Sequence, residues 1–146
     1  MDQEPLLDRT DGASPAFIAE LFRKAALMAQ LKAARGQIVN IASIAAYAGQ
    51  GSILGYSPSK GAIKMYTQSL AQELAPFGVR VNALAPGVID TPMTTVTRTE
   101  PDKLQRFMSR IPLGRVGQPR DLVGPIVFLC SPMAEYVTGV ILPVDG

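Results

Sequence analysis

Apolar residues recur at three- and four-residue spacing from Ile18 through Leu21, Phe22, Ala25 and Met28 to Leu31, behind Ser14-Pro15 and ahead of Gly36. A capping serine followed by a first-turn proline suits a helix start, so the pattern predicts an amphipathic helix over about 15–35. The preceding segment, 1–14, is polar. The period then changes. Ile38 to Ala42 (IVNIA) is short and rich in β-branched residues, as expected of a buried strand. Residues 43–55 carry Gly49, Gly51 and Gly55 without periodicity and read as a loop leaving the strand's carboxyl end.

Ser57-Pro58 opens a second helix, 57–74, in which Ala62, Ile63, Tyr66, Leu70 and Leu74 form one apolar stripe that Met65 and Ala71 widen. Pro76 and Gly78 end it. So wide a stripe predicts contact on more than one side, against a sheet and against a neighbouring subunit. Val79 to Ala85 gives a second strand, stopped by Pro86-Gly87. The polar, Thr-rich stretch that follows holds one short helix after Pro101, with Leu104, Phe107 and Met108 on a face, and residues 90–118 read as a mobile lid. A helix over about 119–131 presents Leu122, Val123, Ile126, Val127, Leu129 and Cys130, and its Gly124-Pro125 predicts a kink. Val140 to Val144 is a third strand.

Helices alternating with strands at this spacing imply βαβ units and an α/β fold with a parallel sheet. About three strands with flanking helices are few for a sheet buried on both faces.

Composition narrows the chemistry. The 146 residues contain no His and one Cys, which removes histidine general bases, Ser-His-Asp triads, imidazole-bound metal sites and intrachain disulfides, so no metal is expected. Fourteen Lys+Arg against 12 Asp+Glu leave a net charge of +2, too small and dispersed to predict a nucleic-acid partner. No apolar run is long enough to cross a membrane, and the acidic opening (Asp2, Glu4, Asp8, Asp11) is unlike a signal or transit peptide, so a cytoplasmic protein is expected.

The remaining candidate is Tyr56-Ser-Pro-Ser-Lys60, with Ser43 thirteen residues upstream at a strand end. Tyr56 and Lys60 are four apart at a helix start and share a face. A nearby cation and the helix N-terminus both favour a phenolate, which lets a tyrosine exchange protons. A strand-end serine can hydrogen-bond the same substrate oxygen. Ser43, Tyr56 and Lys60 are therefore expected to converge on one open cleft.

From about Gly36 to Gly146 the chain resembles the second half of a short-chain dehydrogenase/reductase: IVNIAS, YSPSK, VRVNALAPGVIDT, IPLGRVGQPRD and TGVILPVDG stand in that family's order and spacing. The resemblance implies a partial Rossmann-like, doubly wound parallel sheet and hydride transfer between NAD or NADP and a carbonyl or secondary alcohol of a small molecule. It implies that Tyr56 is the catalytic acid/base and that Lys60 lowers the tyrosine's pKa and binds the nicotinamide ribose. Ser43 would orient the substrate oxygen. Gly87, Ile89 and Thr91 would line the nicotinamide, and helix 57–74 would form a homo-oligomer interface.

Two family features are missing. The glycine-rich phosphate turn has no counterpart, since Gly49 to Gly55 reads GxGxxxG in a loop position, and no Asn precedes Asn40 to serve as the family's fourth catalytic member. The resemblance therefore implies weak or absent cofactor binding by this chain alone, and a non-catalytic remnant acting through oligomerisation is the alternative. Asn82 is expected to satisfy backbone groups, Cys130 to be a small buried hydrophobe, and the lid's basic residues to form a solvated face.

Overall fold

In a computed structural model the described residues are 26–48 and 55–146. The polar opening, the start of the helix expected over 15–35 and most of the glycine run 49–55 lie outside them. Residues 26–33 are helical, as that expectation requires. Three strands, β1 (Gln37–Ile41), β2 (Arg80–Pro86) and β3 (Ile141–Val144), form one parallel sheet in the order β1-β2-β3. Gln37 stands opposite Arg80, and Ala83 opposite Ile141.

Between the strands run α1 (Tyr56–Leu74), the short α2 (Thr95–Thr99), α3 (Pro101–Met108) and α4 (Val123–Cys130). Side chains alternate faces along a strand, which shows how the sheet is sandwiched. Val81, Ala83 and Ala85 of β2 pack with Ile63, Leu70, Ala71 and Leu74 of α1, and Met28 joins them from residues 26–33. The intervening residues turn the other way: the Arg80 guanidinium donates to the Leu129 carbonyl at the end of α4, 2.9 Å away. Helices therefore cover both faces of the sheet, as a buried parallel sheet requires.

Asn82 is fully buried in the middle strand; its Nδ2 donates to the Val137 carbonyl and its Oδ1 accepts from the Val140 N–H. It fastens the turn that feeds β3, the backbone role expected of it.

Four local expectations are corrected. Cys130 is exposed, because Leu129 occupies the buried position on α4 and the next residue points about 100° away, on the side of the exposed Val123 and Val127. The Gly124-Pro125 kink is replaced by a change of helix type: a 3-10 turn, Pro119–Leu122, precedes α4, and Pro125 sits third in the α-helix, where its missing N–H removes no bond within the α-helical run. The wide stripe on α1 splits, with Thr67, Leu70, Ala71 and Leu74 buried against the sheet while Met65 and Tyr66 are more than half exposed. Finally, α2 was not anticipated. Its threonines disfavour helix, but Thr94 just before it is anchored by bonds to the Ile89 and Thr91 carbonyls.

Candidate active site

The site lies beyond the carboxyl ends of β1 and β2, where open α/β sheets bind ligands. Ser43 follows β1 by two residues and caps the 3-10 turn Ile44–Ala46, its Oγ accepting the Ala45 N–H at 3.2 Å. Tyr47, at the far end of that turn, donates its hydroxyl to the Ile141 carbonyl of β3. The buried Ser43 is thus tied to the sheet on both sides.

Tyr56 opens α1, which puts its ring at the helix end nearest the strand ends. Ser43, Tyr56 and Gly87 line one open cleft of about 270 Å³, and Met93, Thr97 and Phe107 close its far wall. No hydrogen bond engages the Tyr56 or Thr97 hydroxyl among the described residues. Both are without a partner among the described residues.

Lys60 lies one turn along α1 but does not line this cleft. Its Nζ donates to the Ile41 carbonyl at 2.9 Å and stands 5.7 Å from the centre of the Tyr56 ring. Gly87 has a structural reason to be glycine: a Cβ there would come within 2.8 Å of Asp145 Cα and Cβ. The structure thus gives that glycine a packing role against the C-terminal segment.

Ile89 and Thr91 do not reach the cleft. The Ile89 side chain is buried against Gly117, across a short parallel bridge, and lines a neighbouring cavity of about 220 Å³. The Thr91 carbonyl accepts from Thr94 and from the Arg98 guanidinium, and the Thr91 N–H donates to Thr94 Oγ1. Arg98 also pairs with Asp90 at 2.8 Å, fastening α2 to the loop after β2.

In the neighbouring cavity Arg115 forms a two-pronged ion pair with Asp121, at 2.6 and 3.1 Å. That guanidinium, joined by the Gln118 N–H, holds the Asp121 carboxyl at about 2, below its ordinary 3.8. The reciprocal effect raises Arg115. Lys103 pairs with Glu100, so the basic residues of 98–115 are partly neutralised, as the interleaved acids suggested.

The motif readings missed the residues that shape the cleft's far wall. Thr97 and Phe107 fall at no family motif, and only the position of their segment opposite the strand ends identifies them. Ile44 and Met93 also line the cleft.

A parallel α/β sheet with a serine and a tyrosine facing one cleft at its carboxyl edge defines a class of dehydrogenase-like folds. The chain belongs to the short-chain dehydrogenase/reductase family: a family model described as enoyl-(acyl carrier protein) reductase matches residues 15–146. L-rhamnose 1-dehydrogenase (NAD(P)(+)) of Azotobacter vinelandii is 46% identical over 111 residues, covering 76% of this chain and 43% of that protein. The 3-oxoacyl-(acyl-carrier-protein) reductase of Aquifex aeolicus is 42% identical over 120 residues, covering 82% and 48%. A putative 2-deoxy-D-gluconate 3-dehydrogenase from Agrobacterium tumefaciens, solved with bound NADP, superposes with a TM-score of 0.79 at 39% identity, covering 88% of this chain and 53% of that one. The chain spans about half the length of these relatives. Among the described residues no helix is long and apolar enough to cross a membrane.

Proposed function

We propose that this chain carries the substrate-facing half of a nicotinamide-dependent oxidoreductase site that interconverts a carbonyl and a secondary alcohol. The observation that carries the reading is the meeting of Ser43 and Tyr56 in one cleft at the strand ends, with the Tyr56 hydroxyl unbonded among the described residues. In this reading Ser43 holds the substrate oxygen by a hydrogen bond, and Tyr56 gives that oxygen its proton in reduction and takes it back in oxidation. The nicotinamide, NAD or NADP as in the relatives, supplies or accepts the hydride when bound. Lys60 would hold its ribose once Nζ leaves the Ile41 carbonyl, and Gly87 would line the nicotinamide, with Ile89 and Thr91 behind it. Residues 90–118 act as the lid.

The fit to the cofactor is partial. The cleft offers hydroxyls suited to the reacting end, whereas no glycine-rich turn onto a helix N-terminus occurs among the described residues. Held through the reacting end alone, a nicotinamide would bind in the millimolar range, about 4 kcal/mol short of a micromolar complex. The test is oxidation of NADH or NADPH by the chain at millimolar cofactor with a simple ketone. Turnover should be slow and fall about 10²-fold or more in Tyr56→Phe. Turnover indifferent to Tyr56→Phe would overturn the site. Micromolar binding would overturn the account of the cofactor.

A second reading, a non-catalytic remnant that acts through assembly, is favoured by the exposed Met65 and Tyr66 on α1. Absence of any turnover at saturating cofactor would select it.

A further inference from the structure

The lining of the Ser43–Tyr56 cleft limits which alcohols or ketones it can take. Apolar groups dominate: Ile44, Val88, Met93 and Phe107 surround the two hydroxyls expected to hold the reacting oxygen. No charged side chain lines it among the described residues. The cations nearest in sequence are already occupied. Lys60 is bonded to the Ile41 carbonyl, and Arg98, although its neighbours Thr94 and Thr97 face the cleft, turns its guanidinium to Asp90 and the Thr91 carbonyl. The residues joining Ser43 to Tyr56 include no Asp, Glu, Lys or Arg.

Hydroxyl partners are equally scarce. Thr94 spends its hydroxyl on the Ile89 and Thr91 carbonyls, the Thr91 N–H and Arg98. Among the described residues, Thr97 alone, beyond the Ser43–Tyr56 pair, has a hydroxyl in the lining with no partner. A sugar acid would bring a carboxylate with no cation among the described lining residues to meet it. A polyol would bring several hydroxyls, each costing about 1–3 kcal/mol if taken from water without a replacement bond.

We propose that the cleft is built for an uncharged ketone or secondary alcohol whose reacting carbon is carried on an apolar chain, and that it discriminates against sugar acids and polyols. This rests on reading the cleft as an oxidoreductase substrate site. The apolar arm lies against Met93 and Phe107, and the single oxygen meets Ser43 and Tyr56, the division of labour common to small-molecule pockets.

The test is a titration without cofactor, so that it does not depend on hydride transfer. The chain, labelled with ¹³C at its methionine methyls and with the Met93 signal assigned from Met93→Leu, is titrated with 2-octanone, D-gluconate and L-rhamnose. The Met93 methyl should shift with 2-octanone at least about tenfold more tightly than with either sugar, ~1.4 kcal/mol. Phe107→Ala should weaken the ketone about tenfold. Where that variant fails to fold, Phe107→Leu serves instead and should weaken the ketone about threefold. Equal or tighter binding of gluconate or rhamnose at Met93, or no shift with the ketone, overturns the proposal. Tyr56-dependent reduction of NAD or NADP coupled to oxidation of a sugar acid or polyol would uphold the oxidoreductase reading and defeat this inference. A ketone-selective Met93 shift without any turnover would do the reverse.

Discussion

Lys60 Nζ donates to the carbonyl of Ile41 and not to the hydroxyl of Tyr56, one helical turn before it. The register explains why that carbonyl is free to accept. The Arg80 N–H bonds the Gly36 carbonyl and the Ala42 N–H bonds the Leu84 carbonyl, so the even-numbered residues of this run face β2 and Ile41 faces the other way. That side is the outer edge of the sheet among the described residues, and the ammonium caps it. Lys60 is thus held beside the cleft by the backbone and not by its presumed catalytic partner.

Because this bond lies in solvent reach, Lys60→Met should lower unfolding stability by less than about 1 kcal/mol. The same substitution should weaken nicotinamide binding roughly tenfold if Nζ transfers from the carbonyl to the ligand, in line with a charged hydrogen bond of about 1.5 kcal/mol. Urea unfolding and quenching of NADH fluorescence measure the two effects. A large stability loss with unchanged NADH affinity would assign Lys60 a purely structural role.

Two glycines should respond in opposite senses. Gly87→Ala drives a Cβ to 2.8 Å from Asp145 Cα, a backbone atom that cannot swing away, and should destabilise by about 1–3 kcal/mol. Gly61 lies inside α1 with nothing within 4 Å of the same added atom, so Gly61→Ala should stabilise by about 0.5–1 kcal/mol through helix propensity. Denaturation midpoints at one pH decide it. Gly87→Ala as stable as the parent would remove the packing reason for that glycine.

What the chain disclosed about itself follows from which interactions are local. Ile38 to Ala42 and Val79 to Ala85 alternate or run apolar within a few residues, so both strands were legible to within a residue or two. Ser43 and Tyr56 could be placed together because a strand end and a helix start are sequence-local signals. Ile89 could not: its side chain is placed by the bridge to Gly117, 28 residues away, and no local pattern encodes that contact. Cys130 failed for a different reason, since α4 is apolar all round and no stripe marks which residue meets the sheet. The far wall of the cleft was illegible because Thr97 and Phe107 reach it only through the Arg98–Asp90 pair and the fold of α2 and α3.

The Arg115–Asp121 pair gives a pH signature. Asp121 has its carboxyl held at about 2 in the folded chain, against 3.8 ordinarily, because the guanidinium and the Gln118 N–H both favour the anion. A lowered folded value means the stabilisation is full above the ordinary value and disappears as pH falls through the folded one. The stability gap between parent and Asp121→Asn should therefore be constant at neutral pH, begin to close below 3.8 and vanish near 2. Urea titrations across that range test it. A gap that widens on acidification would reverse the sign of the linkage.

The exposed side of α1 makes the last prediction. Its sheet-facing side is filled by Leu70, Ala71 and Leu74, yet Met65 and Tyr66, one turn earlier and rotated outward, stand 59% and 58% exposed with Ala62 beside them. A methionine and a tyrosine adjacent on one helix face form an apolar patch with a single polar tip, the composition that interface centres favour. If two copies meet through this face, Met65→Lys with Tyr66→Glu should abolish association without loosening the fold, because neither side chain contributes to the core clusters. Light scattering at micromolar concentration should show the parent as a dimer or larger and the double variant as a monomer, with matching circular dichroism. A parent that is already a stable monomer would mean that the face is covered by something other than a second copy, and the remnant reading would lose its support.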